Sequence, residues 1–388
     1  NTRGLGLASA VGIVVAAGFV LLMLPAALVL FGRWIFWPKV PHVGEEGQAG
    51  RRSGWRRVGD RVATRPKAFI VGTLTLLAVM AVGLTQLQLG LPSSEQFTDK
   101  PEAIVAAERL AESFPGGAAD PTTVVTATED EATVEQLVAD LEGLDPVGSV
   151  SVGAQGGGVT QLSVVLSTTP ESDEARAALD DIRTVTAELP ETYVTGTAAE
   201  TADTADASTR DRLVILPIIL ILVLLALAAI LRSVLAPVIL VASVIASFCA
   251  ALGVSWWLFT GLLGFSGLDP IVPLYSFLFL VALGVDYNIF LITRTLEEAR
   301  HVGSREGVLR ALSATGGVIT SAGILLAAVF AVLGVLPLVV LAQVGAVICI
   351  GVLLDTLLVR TVLVPAIVLT LGERFWWPRR VAPEEATH

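Results

Sequence analysis

Seven apolar runs, each long enough to cross a bilayer, leave this chain few folds to choose from. They lie at about 5–31, 68–90, 213–231, 235–262, 271–293, 316–336 and 338–369. Helix rises about 1.5 Å per residue, so some 20 residues cover roughly 30 Å of hydrocarbon. In that medium each backbone N–H and C=O must be satisfied within the segment, which selects helices for runs of this length. Only 16% of residues are charged, against roughly 25% in soluble domains. The fold class is therefore a polytopic α-helical membrane protein of about seven transmembrane helices.

The segments between the runs divide by charge. Residues 33–67 carry Arg33, Lys39, Arg51, Arg52, Arg56, Arg57, Arg61, Arg65 and Lys67 against Glu45, Glu46 and Asp60. Arg232, the 294–310 loop and the tail with Arg374, Arg379 and Arg380 are basic too. Alternating the spans puts all of these on one side, which the positive-inside rule makes the cytoplasm. Residues 92–211 fall on the other side, with 24 Asp and Glu against five Lys and Arg. The net charge of -11 thus joins two opposite halves and argues against nucleic-acid binding. The first run is too long for a signal peptide and has no A-x-A cleavage site after its apolar stretch. Pro365 is expected to kink the last helix, and Gly334–Pro337 to turn a tight helical hairpin.

The acidic segment predicts a folded domain. Thr122–Thr128, Val147–Val152, Val159–Thr168 and Thr192–Thr195 read as strands, and Val134–Leu144 and Ala175–Leu189 as helices. Gly153–Gly158 supplies a flexible turn, and the order βαββαβ is that of the ferredoxin-like split unit. A helix at about 198–211 leads to the membrane, and Pro101–Phe114 is a helix suited to the membrane surface. The basic stretch around Trp55 and Arg56 is expected to lie on anionic lipid.

Within the fifth run one acid stands out, Asp286 in Gly284-Val285-Asp286-Tyr287-Asn288. A carboxylate in hydrocarbon costs at least about 2.5–3.5 kcal/mol, so Asp286 must be protonated, partnered or facing water. Desolvation penalises the charged form, which suits a group that loads and releases a proton. Tyr287 lies about 100° round the helix and either reaches an acid on a partner helix or packs in an interface. Phe290, one turn on, is a hydrophobic gate or a packing residue. Thr320 and Ser321 offer hydroxyls to the acid, or bond their own helix carbonyls. Asp355 and Arg360 are a second charged pair. Five residues apart they do not share an α-helical face, so Arg360 is expected to snorkel to the headgroups while Asp355 bonds another helix; both read as structural.

Other chemistry has no foothold. No Walker loop, GxGxxG, HExxH or GxSxG occurs, which speaks against an enzyme. Cys249 and Cys349 sit in apolar runs, and His42, His301 and His388 have no ligand spacing. No metal or cofactor is implied.

Leu24-Pro25-Ala26…Gly32…Phe36-Trp37-Pro38-Lys39 returns as Val364-Pro365-Ala366…Gly372…Trp376-Trp377-Pro378-Arg379, identical at five of 16 positions. On that duplication, 1–40 ends a first repeat, 41–67 is a basic cytoplasmic linker and 68–90 a transmembrane helix. Residues 91–212 form the extracytoplasmic α+β domain, 213–372 a five-helix bundle and 373–388 a cytoplasmic tail. The expectation is the C-terminal half of a twelve-helix transporter, inactive alone.

The stretches GVDYNIFLITRTLEEAR (284–300), TSAGILLAAVF (320–330) and LLDTLLVRTVLVPA (353–366), followed by WWP (376–378), resemble the MmpL group of the resistance-nodulation-division superfamily. The resemblance implies an RND-type fold with a porter domain outside the cytoplasmic membrane, chiefly in actinobacterial envelopes. It also implies export or flipping of lipids or other hydrophobic molecules, driven by the proton gradient. In that family an Asp-Tyr pair in the fourth helix meets one in the tenth. Asp286 and Tyr287 match the tenth-helix pair, so the implied partner is the N-terminal half, with homo-oligomers a further option. The rival is a membrane scaffold for envelope assembly or protein export; a sterol-sensing protein of Patched type shares the superfamily.

Overall fold

The computed structural model describes residues 2–32, 54–111, 113–114, 117–118, 120–169, 172–379 and 381. Among them six helices are long and apolar enough to cross a membrane, so this is a multi-pass membrane protein. A small sheet lies between the second and third. The Trp37-Pro38-Lys39 end of the repeat, with Arg51 and Arg52, lies outside the described residues.

Helix α1 (Thr2–Phe31) presents residues 6–31 as exposed, apart from half-buried Gly18 and Ala27. Helix α2 (Gly54–Thr64) does not lay its apolar face on lipid. Gly59 and Val62 are buried, and Trp55 covers Gly316, whose place for a Cβ is 2.8 Å from the indole Cγ. Arg56 anchors the helix through Glu306, Nη1 to Oε1 2.9 Å. The protein's own helix ends offer this face more apolar contact than headgroups would. Helix α3 (Pro66–Ala81) follows, extended by a 3₁₀ segment at Val82–Gln86, and α4 (Glu102–Ala111) is exposed over 102–110 apart from half-buried Ile104.

The acidic segment folds as β1 (Thr122–Thr126), α5 (Glu131–Glu142), β2 (Val147–Gly156), β3 (Val159–Leu166), α6 (Asp173–Thr186) and β4 (Thr192–Thr195). Its sheet order is β2-β3-β1-β4, with every pair antiparallel. Alternate residues of β1 and β3 face the core, where Val124, Leu162 and Val164 pack on Leu137, Leu141 and Ile182. The Gly-rich run is mostly strand rather than turn: β2 continues through Gly156, and Gly157 and Gly158 alone turn the hairpin at φ 69° and 83°. Two consecutive positive φ angles make this the two-residue turn that matches strand twist, which glycine enters without strain. Helix α5 starts three residues earlier than its apolar pattern because Asp130 caps it, Oδ2 accepting from the Thr133 N–H at 3.1 Å.

Helix α7 (Thr197–Leu231) is one rod of 35 residues from the domain into the membrane, with Pro217 inside it. No break separates the 198–211 helix from the span that follows. Helix α8 (Leu235–Leu258) comes next. Two of the seven apolar runs then belong to a single helical run, α9 (Val272–Val332), 61 residues long. Straight, it would measure about 90 Å, three hydrocarbon thicknesses. It folds back instead at Gly303, whose backbone (φ 78°, ψ 162°) is non-helical. The Phe279 and Phe330 rings, one from each arm, lie 5.4 Å apart. The charged tip stays helical, supported by Arg294 pairs with Glu297 and Glu298 at 3.0 and 2.8 Å.

The last span is α10 (Val339–Leu354), a π-helical segment Asp355–Leu363, and α11 (Val364–Leu371). Pro365 therefore does not merely kink the helix. Its ring excludes the carbonyl four residues back and it donates no N–H, and the helix widens in the turns before it.

Candidate functional site

The site is built from one turn of the first arm of α9 and the π-helical segment. In an α-helix, residues five apart are separated by about 140° around the axis. The i→i+5 spacing of a π-helix stacks them instead. Asp355 and Arg360 thereby share a face, and Arg360 Nη2 donates directly to Asp355 Oδ2. This corrects the expectation that Arg360 snorkels away: it is 1% exposed and Asp355 5%. Hydropathy and 3.6-residue periodicity cannot register such a widening.

Residues 284–288 form a socket for this guanidinium. The Gly284 carbonyl accepts from Nη2 at 3.3 Å and Asn288 Oδ1 from Nε at 3.3 Å. The Tyr287 ring lies 4.9 Å from Arg360 Cζ, a cation–π contact worth about 2 kcal/mol when desolvated. Gly284, Tyr287 and Asn288, at i, i+3 and i+4, share one face. Within this chain Tyr287 thus meets the Arg360 cation. A cleft of about 10 Å³, lined by Leu280, Leu283, Gly284, Tyr287, Val352, Asp355 and Thr356, is the size of a single water.

Asp286 points elsewhere. It is exposed, as are Ala282 and Phe290 at i±4. These three make an open stripe on the bundle, and among the described residues Asp286 has no hydrogen bond or ion pair. Phe290 lies on that stripe at 50% exposure, so it does not pack in the core of this chain. Ser321 is exposed and donates to the Val318 carbonyl at 3.0 Å, while the Thr320 hydroxyl is buried without a hydrogen-bond partner among the described residues. The structure brings neither to Asp286. It brings together Tyr287, Asp355 and Arg360 and leaves Asp286 one residue away on another face.

Asn288 is the site residue that sequence reasoning missed. An amide inside an apolar run, four residues after Gly284, was the signal. It is fully buried and supplies the acceptor for Arg360 Nε. Thr356 lies in the same layer and faces Gly323, where a Cβ would fall 2.8 Å from Thr356 Cγ2. That glycine lets the second arm of α9 approach.

Comparison with known proteins agrees with the motifs. The model of the MMPL family matches residues 1–69 and 95–386. The chain is 42% identical over 388 residues to the "Putative membrane protein ActII-3" of Streptomyces coelicolor, covering 99% of this chain and 54% of that one. It is 31% identical over 386 residues to the apo-petrobactin exporter of Bacillus anthracis, covering 93% and 52%. Over 215 residues it is 40% identical to the "Probable transport protein MmpL10" of Mycobacterium leprae, covering 53% and 21%. The chain spans about half the length of the first two relatives.

Proposed function

The chain belongs to the MMPL family, and from that premise we propose that it is one repeat of a proton-driven exporter. The cargo is lipid or another hydrophobic molecule, moved across the cytoplasmic membrane by a transport cycle rather than by enzyme chemistry. The supporting observation is the division of labour in one helical turn. Asp286 is held on an open face, while Tyr287, next to it, rests on a buried guanidinium that is itself bonded to Asp355. The open stripe of Ala282, Asp286 and Phe290 receives the matching helix of the other repeat.

In this reading Asp286 is the group that gains and loses the proton. Its charge acts on Arg360 through the intervening turn, since Tyr287 and Asn288 are fixed to that guanidinium. Protonation removes a negative charge from beside the socket and shifts the balance of Arg360 towards Asp355. The helices of the bundle then favour a different packing. One proton crossing 100 mV supplies about 2.3 kcal/mol, enough for roughly 50-fold accumulation of cargo. The βαββαβ domain is a ferredoxin-like porter domain on the extracytoplasmic side, and cargo is handed to it there. Thr320 and Ser321 stand outside the relay.

The test is Asp286→Asn in proteoliposomes carrying both repeats, with a fluorescent phospholipid as cargo and an imposed pH gradient. The amide keeps shape and polarity but cannot cycle a proton, so gradient-driven movement is lost while insertion and yield hold. Movement near the wild-type rate would refute the proton role and leave the scaffold reading.

A further inference from the structure

The basic end of the bundle carries a second arrangement, unconnected with Asp286. The chain after α11 turns back across the helix ends and is fastened at two places. The Trp377 carbonyl accepts from the backbone N–H groups of Val234 and Leu235 at 2.9 and 3.3 Å and from the Ser233 hydroxyl at 3.0 Å. Glu373 Oε1 accepts from the Ser304 hydroxyl at 2.8 Å, and Trp376 Nε1 donates to that hydroxyl at 3.0 Å. The tail thereby ties the α7–α8 turn to the tip of α9.

That fastening gathers three arginines. Arg232 caps the end of α7 with a left-handed backbone, φ 50°. Arg379 reaches the same helix end, Nη1 to the Leu231 carbonyl at 3.4 Å. Arg300 comes from the last turns of the first arm of α9, and Arg232 and Arg300 are exposed. Burial, and then the like charges of Arg300 and Arg232, hold the Arg379 guanidinium below its usual pKa. None of the three is in an ion pair among the described residues.

Helix C-termini compensate part of this charge, each carrying about half a negative unit. At Leu231 and just past Arg300 that compensation is cancelled by the positive N-termini of α8 and of the second arm of α9, which start beside them. The three guanidinium charges therefore call for an anion, and a phosphate group supplies one. The depth is that of a membrane surface: Arg232 follows the last residue of a span, and Trp377, two residues before Arg379, is 62% exposed. Exposed tryptophan is typical of the headgroup layer.

We propose that Arg232, Arg300 and Arg379 form a binding site for the phosphate of an anionic phospholipid headgroup, with Trp377 against its glycerol and upper acyl region. A free phosphate shares the chemistry but has no use for the indole. The lipid bridges α7, α9 and the tail, three elements that the fastening brings together.

The experiment uses the full chain in neutral detergent, offered mixed micelles of phosphatidylglycerol and phosphatidylcholine, with retained lipid counted by native mass spectrometry. Wild type retains phosphatidylglycerol in preference. Each arginine near a membrane surface contributes about fivefold, so Arg232→Asn with Arg300→Gln lowers the preference about 30-fold. Asparagine suits the left-handed backbone at position 232, and neither change touches the tail fastening. Arg300→Glu, at an exposed position without a hydrogen bond among the described residues, lowers the preference at least as far as Arg300→Gln. Replacing all three arginines by lysine preserves it, and inorganic phosphate at about 10 mM leaves the retained lipid in place. Unchanged retention in the Arg232→Asn, Arg300→Gln protein or in Arg300→Glu would overturn the site, and displacement by inorganic phosphate would overturn the lipid as its occupant.

Discussion

Removing either member of the Asp355–Arg360 pair should cost far more than removing both. The two side chains are almost fully buried, and stripping one partner from a buried ion pair costs about 3–5 kcal/mol because the other charge is left uncompensated. For Asp355→Leu the stranded guanidinium keeps Asn288 Oδ1, the Gly284 carbonyl and the Tyr287 ring. These offer dipoles and a quadrupole but no full charge, which places the loss at about 3 kcal/mol. For Arg360→Met the stranded carboxylate protonates, and a loss of about 2 kcal/mol is expected. The double variant Asp355→Leu/Arg360→Met has no charge to strand and should lie within about 1 kcal/mol of wild type. The coupling in the double-mutant cycle is then about 5 kcal/mol. Denaturation of the purified chain in mixed micelles, followed by circular dichroism, measures it. Additive losses would show that the two groups do not share a face, and the π-helical account of the last span would fall.

Three further outcomes follow from other parts of the molecule. Gly316→Leu should lift α2 from the bundle, since even a Cβ there falls 2.8 Å from Trp55 Cγ; hydrogen exchange across 54–64 should rise while the spans stay protected, and unchanged exchange would contradict the packing. The Arg56 hydrogen bond holds Glu306 below the usual carboxylate range. A depressed folded pKa means that the clasp is fully present above the ordinary Glu range and is lost as pH falls through the lowered value, so exchange in α2 should rise only in acid, and Glu306→Gln should abolish that dependence. A membrane-impermeant thiol reagent should reach Asp145→Cys or Gly157→Cys from outside and miss Arg305→Cys, which is exposed on the basic side, whereas the reverse pattern would invert the topology.

How far the fold was legible in the sequence depended on which periodicity governed each element. Spans follow mean hydropathy, and the βαββαβ order follows alternation in Thr122–Thr126 and Val159–Leu166, where each second residue enters the core. The helical tip of α9 escaped because Arg294, Glu297 and Glu298 stabilise helix without apolar residues. The extension of β2 through Gly153–Gly156 escaped because its pairing is set by β3, whose pattern is strong, and not by its own glycines. At the site, Tyr287, Asp355 and Arg360 stood out as polar groups in hydrocarbon, but their union depends on a helix that is wider than 3.6 residues per turn. Asn288 was visible as an amide and silent about its partner.

The unbroken α7 sets a condition on how the outer domain can move. Thirty-five residues make a beam of about 52 Å, fixed at one end by the α7–α8 turn and at the other by β4, which precedes it directly. Tilting such a beam by about ten degrees at its inner end swings the outer end by roughly 9 Å, with no loop in between to absorb the motion. Pro217 is where the beam yields first, because it donates no backbone hydrogen bond. Small rearrangements among the spans are therefore enlarged outside the membrane, and the position of Pro217 fixes the leverage.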